Sequence, residues 1–239
     1  MVTKFKSILK RTPWSLVAKA AATGVAWLLF PFWVSAVLVL WWYFVPPFRV
    51  VVFGGHCLAL LSLMWILGSL GQTPLEAVVI GAAFFLLVGV KDLIFISREA
   101  LHTLLTFSLL FFVYAGFSSM ADVLGAWSGG AIAFFLALLL AFLMCMGFFR
   151  YRFPELPMSH VVTLSGLIVL IVAELGTALL FSPIEAWART ALLFAATFVC
   201  LEWGREYLHG HVTSARVVRY SLSFLALLVL LFGITEWVP

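Results

Sequence analysis

The chain has 239 residues, 65% of them hydrophobic and only 10% charged. Soluble domains carry about 25% charged residues, so a water-soluble fold would lack the polar surface to cover this much apolar side chain. The net charge of +4 is an orientation signal, because Lys and Arg collect on cytoplasmic loops, and nucleic acid is not an expected partner.

Apolar runs such as 131–149 and 161–181 are long enough to cross the hydrocarbon core as helices, and the alternation of a transmembrane barrel is absent. The sequence therefore predicts an all-α, polytopic transmembrane helical bundle of about eight spans. It opens on a basic stretch with Lys4, Lys6, Lys10 and Arg11, which resembles a signal n-region but is followed by no small-residue cleavage site. Residues 13–29 read either as an extra membrane-crossing or re-entrant segment, or, over 12–22, as an interfacial helix. Spans are then expected near 30–47, 51–70, 75–91, 102–119, 130–149, 160–181, 184–204 and 218–237. Short connections such as Pro46-Pro47-Phe48-Arg49 and Gly71-Gln72-Thr73 separate them, and Gly and Pro mark the turns.

Two short stretches repeat. Thr73-Pro74-Leu75-Glu76-Ala77 resembles Ser182-Pro183-Ile184-Glu185-Ala186, and Arg98-Glu99-Ala100-Leu101-His102 resembles Arg205-Glu206-Tyr207-Leu208-His209 at nearly the same offset. The first pair has the form of a capping box with proline at the first helical position. A tandem duplication accounts for both pairs. It divides the chain into a basic N-terminal segment, 1–29, and two four-helix repeats, 30–127 and 128–239. Copies separated by an even number of spans share one orientation. Arg49, Arg150, Arg152, Lys91, Arg98, Arg205, Arg216 and Arg219 then fall on one side, expected to be cytoplasmic, and the repeats are parallel rather than inverted.

Few polar residues lie within the spans. Glu174 is well inside one, where a charge is costly and by default functional. If the chain turns at Ser182-Pro183, Arg189 reaches a similar depth, roughly 10–13 Å from the turn at 1.5 Å per residue, and an intramembrane ion pair between Glu174 and Arg189 is expected. In the repeated segments Glu99 and His102, and Glu206 and His209, stand at i,i+3 and share a helix face. Glu-x-x-His from two helices is half the ligand set of a di-iron carboxylate bundle. The remaining carboxylates, Asp92, Glu155 and Glu202, occupy no repeated position, which weakens that reading. A single zinc bound by His102, His209 and one glutamate, Glu99 or Glu206, with His211 as a fourth ligand, asks for less. The simpler account is a duplicated helix end, where charged side chains meet water. No cofactor is predicted beyond that candidate metal site.

His56 reads as a helix–helix hydrogen-bonding residue. The ten tryptophans read as an interfacial belt. Cys57, Cys145 and Cys200 sit in apolar runs without CxxC spacing, so packing is their expected role. No Walker loop and no HExxH is present.

Three classes of function remain. The first is a transporter of a small solute or a lipid, with an apolar substrate favoured by the sparse polar lining. The second is a non-catalytic scaffold or subunit of a membrane complex. The third is a membrane enzyme working through the Glu-x-x-His segments. The expected partners are membrane lipid and other membrane subunits. The expected location is a cell membrane crossed several times, with the short loops pointing to a prokaryotic inner membrane.

Overall fold

In the computed structural model, the residues described are 14–45, 50–70, 73–92, 98–124, 129–182, 184–210 and seven positions between 218 and 229. Among them the chain is helical throughout, with no strand. Eight helices follow in order: α1 (Trp14–Leu29), α2 (Phe32–Phe44), α3 (Val50–Leu70), α4 (Pro74–Lys91), α5 (Arg98–Leu124), α6 (Ala131–Arg152), α7 (Met158–Leu180) and α8 (Ala186–Leu208). Four of them, α4 to α7, are long and apolar enough to cross a membrane, as a membrane protein requires. The apolar helices Trp14–Leu29 and Phe32–Phe44 and the apolar stretch Val52–Gly68 are shorter. Helix α8 carries Arg189, Glu202, Arg205 and Glu206 and falls outside the set of four. Most of the expected last span, 218–237, lies outside the described residues, as do Arg49, Trp127, Arg216 and the basic N-terminal stretch.

The helices pack as two compact units, one comprising 1–53 and 60–105, the other 54–59 and 106–239. Helices α3 and α5 contribute residues to both. This grouping reflects packing and follows a different line from the repeat boundary at 127/128.

In the first unit α1 packs against α4 and α2. Within the segment left open between a crossing and an interfacial helix, Trp14–Leu29 is a helix with Leu16, Ala20, Gly24 and Trp27 buried. Lipid tails are as apolar as leucine, so helices in a bilayer associate through close packing rather than hydrophobic expulsion. The α1–α4 seam is built that way. A Cβ placed on Gly24 would lie 2.6 Å from the Ala77 carbonyl oxygen, and one on Gly81 would lie 3.0 Å from that of Ala20. The buried Trp27 donates its Nε1–H to the Met64 carbonyl at 3.0 Å, which ties α1 to α3.

In the second unit α6 packs on α7 and α7 on α8. Gly55 admits the α6 backbone, since a Cβ there would meet the Leu143 carbonyl at 2.7 Å. Phe107 forms ring contacts with Phe148, Phe194 and Phe198 at centroid distances of 6.2, 6.2 and 5.0 Å. Such offset and edge-on pairs add stability beyond their area. Helix α8 ends at Leu208 with His209 as its C-cap, and Gly210 at φ 68° supplies the left-handed residue that releases the chain.

The two T/S-P-x-E copies fold differently. At the first, the capping box forms as expected: the Glu76 N–H donates to Thr73 Oγ1 at 3.3 Å and the Thr73 N–H to Glu76 Oε2 at 3.0 Å. At the second it does not, and helix α8 starts later, with Glu185 at the N-cap position. The reason is local. Ser182 directly follows the end of α7, and its hydroxyl donates to the orphan Ala178 carbonyl at 2.7 Å. That bond points the Ser182 side chain back along α7, away from the first turn of α8, whose N-cap position falls three residues later.

The seam is directly testable. Gly24→Leu forces a side chain into the Ala77 backbone, and we expect a loss of roughly 1–3 kcal/mol of stability. Gly166, where a Cβ would meet nothing within 4 Å, accepts alanine with no loss. Thermal unfolding of both variants in detergent gives the comparison.

Candidate functional site

The polar side chains of the second unit form a ladder between α5 and α8. Tyr114 Oη lies 2.8 Å from Thr197 Oγ1. Further along, Thr190 Oγ1 donates to the Ala186 carbonyl at 2.8 Å and lies 3.4 Å from the Tyr114 carbonyl oxygen. Next along the seam, Arg189 reaches the last turns of α5. Its Nη1 lies 3.0 Å from Asp122 Oδ1 and donates to the Ser118 carbonyl at 3.4 Å, while Nη2 donates to the Ile184 carbonyl at 3.1 Å. Residues 114, 118 and 122 are one turn apart, so a single face of α5 serves the whole ladder. His56 adds a further link: its Nε2 lies 2.8 Å from Thr106 Oγ1, the helix–helix bond expected of it.

The ion pair made by Arg189 is therefore with Asp122, and not with Glu174 as the turn geometry suggested. Burial explains the difference. Helix α7 buries Val161, Ser165, Ile168, Val172, Gly176 and Leu179, and Glu174 stands two residues from both Val172 and Gly176, which turns it to the opposite, exposed face. Depth alone brought Glu174 and Arg189 together, and depth does not fix direction.

The Glu-x-x-His pairs also differ in setting. Arg98, Glu99 and Ala100 open α5 and are exposed, whereas His102 is buried, its ring edge-on to Phe53 at 5.4 Å between centroids. The second copy closes α8 instead of opening a helix. There Arg205 bonds Glu202 at 2.6 Å and Glu206 at 3.4 Å, and the exposed His209 lies against the Phe153 ring at 4.9 Å. Glu99 and His102 belong to the first unit, Glu206 and His209 to the second. Among the described residues, no group of three or more His, Cys, Asp or Glu side chains is placed to hold a metal ion. His211 lies outside the described residues. Of the other carboxylates weighed as ligands, Asp92 Oδ1 bonds the buried Lys91 at 2.5 Å, Glu202 pairs with Arg205, and Glu155 is exposed in the turn after α6.

Two grooves lie among the described residues. In the first unit, α1 and α4 flank a groove of about 590 Å³ lined by apolar residues, among them Val17, Val25, Leu28, Val78 and Phe85. In the second, the first turns of α7 and the end of α8 flank a groove of about 570 Å³ with Ser159, His160, Thr163 and Tyr207 supplying polar groups and Leu164, Leu167 and Leu208 the rest. The Phe153–His209 contact sets the end of α8 beside the α6–α7 turn. Arg150 holds that turn through the Pro154 and Leu156 carbonyls at 3.3 and 3.0 Å. Arg150, Arg152 and Arg205 thus share one end of the unit, the end expected to be cytoplasmic.

No protein-family model, curated protein or solved structure matches the chain.

Asp122 and Tyr114 were not singled out from sequence. Each is a lone polar residue one or two turns from another on α5, and that spacing with Ser118 was the available signal. Removing Asp122 leaves a buried guanidinium with carbonyl partners only. We expect Asp122→Ala to lose roughly 1.5–3 kcal/mol, and Glu174→Ala to stay within about 0.5 kcal/mol in the isolated chain. Reversible unfolding of the two variants in mixed micelles checks the order; equal losses would place Glu174 in the ladder instead.

Proposed function

We propose that this chain is a multi-pass protein of a prokaryotic inner membrane and acts as a non-catalytic subunit or scaffold of a membrane complex. The carrying observation is the α1–α4 groove. Every residue lining it is apolar, so it offers no group for catalysis and none for orienting a hydrophilic solute. Its floor is the small-residue seam of Ala20, Gly24, Ala77 and Gly81, and a floor of small side chains admits a further helix at close range. The buried polar groups of the second unit support the same reading, because they bond to one another and hold helices together.

The α7–α8 groove supports a second reading, that of a lipid-handling transporter. Hydroxyls and a histidine beside leucines suit a headgroup above an acyl chain.

Two measurements separate them. In a mild detergent extract of native membranes, the chain is expected in a particle larger than itself. Val78→Trp, which fills the apolar groove, is expected to shrink that particle without lowering the amount of chain. Purified chain in vesicles is expected to leave fluorescent phospholipid in its original leaflet. Rapid lipid exchange by the purified chain would overturn the subunit reading in favour of transport.

A further inference from the structure

Helix α7 is the least buried of the four membrane-length helices: 28% of its most apolar stretch is buried, against 50% or more in the others. Its exposed side is ordered. Thr163, Leu167, Leu170, Glu174, Thr177 and Phe181 are all exposed, and they follow one another at alternating steps of four and three residues. Steps of three and four keep these six residues on one side of the helix, so α7 presents a continuous open face with one carboxylate in it.

Glu174 marks what the neighbour must carry. It stands six residues before Leu180, about 9 Å along the axis. Helix α7 is roughly 34 Å long against a hydrocarbon core of about 30 Å, so Glu174 lies some 7 Å inside the core. A carboxylate facing lipid there is costly, and it is met by a countercharge in structures that tolerate it. This chain does not supply one from α8: Arg189 is committed to Asp122, Ser118 and Ile184. Arg150, Arg152 and Arg205 sit at the other end of α7. A second copy docking through the same stripe about a two-fold axis would set Glu174 against Glu174, and like charges in one layer disfavour that pairing.

We infer that the outward face of α7 is the docking surface for a transmembrane helix of a different subunit, one that presents a lysine or arginine at the depth of Glu174. The inference rests on the subunit reading and adds the chemistry of the partner. A polar residue in an otherwise apolar seam fixes register, so the pair of charges sets both which helix binds and how far along α7 it sits.

The test uses purified full-length chain in phosphatidylcholine vesicles and three synthetic leucine–alanine transmembrane peptides, identical except for Lys, Leu or Glu at the matching depth. Energy transfer between labelled chain and labelled peptide reads association. The Lys peptide is expected to bind roughly tenfold tighter than the Leu peptide, the scale of one interhelical polar contact in a bilayer. Glu174→Gln is expected to erase that preference while melting like the parent chain, and Glu174→Lys to transfer it to the Glu peptide. Leu170→Trp, which obstructs the seam and leaves the charge, is expected to weaken all three peptides. Equal binding of the three peptides by the parent chain, or a homodimer that excludes them, would overturn the inference. Failure here leaves the particle size in native membranes unaffected as a measure of the subunit reading, so the two can fail separately.

Discussion

A chain in hydrocarbon has no water to satisfy its polar groups, and each must find its partner in protein. That constraint orders the second unit. Tyr114, Thr190, Thr197, Arg189 and Asp122 are not scattered along their helices; they meet in one seam between α5 and α8. Hydroxyls also turn back on their own helix, whether or not a neighbour helix faces them. Thr23, Thr177, Thr190, Thr197 and Ser182 each donate to the carbonyl four residues earlier, at 2.7–2.9 Å. This back-bonding costs a helix in water a little and is the natural solution in lipid.

The same medium removes the drive that packs a soluble core. Apolar side chains gain nothing by leaving lipid for each other, so contact must come from fit. Gly24 and Gly81 at the α1–α4 seam and Gly55 against α6 let backbones approach where any side chain would collide. Larger gaps are filled by phenylalanine, which clusters around Phe107 in the second unit. Exposed Trp14, Trp33, Trp41 and Trp187 stand at or near helix ends, where an amphipathic ring bridges hydrocarbon and headgroup. Trp27 departs from that rule. It is fully buried because its one donor reaches the Met64 carbonyl.

Helical class and the long apolar helices were legible from composition and run length, because burying a polar backbone in lipid leaves a helix or a closed barrel. The capping box at Thr73 was legible because its bonds are local. Its counterpart at Ser182 was not, since the side chain turns back onto the preceding helix and α8 begins only after Glu185. The likeness between Arg98–His102 and Arg205–His209 hides different places: one opens a helix and the other closes one. Glu174 stood out in the sequence as a charge inside a span, and its partner was chosen by depth. The direction of a side chain depends on which stripe of α7 is buried, and a nearly uniform apolar sequence does not declare that. Asp122 escaped notice for a related reason, since an acidic residue near a span end looks like any other interfacial charge until Arg189 is seen to reach it.

What remains is a helix with two faces, one closed by the protein and one left open with a carboxylate in it. The orientation of α7 in a bilayer tests this account most directly. Spin labels placed one at a time from 160 to 181 in the reconstituted chain, with Cys57, Cys145 and Cys200 replaced, report collision with dissolved oxygen and with a water-soluble relaxer. The account predicts oxygen maxima at 163, 167, 170, 174 and 177, minima at 161, 165, 168, 172 and 176, and little contact with the water-soluble agent at 174. A flat profile, an inverted one, or ready access of the aqueous agent to 174 would contradict it.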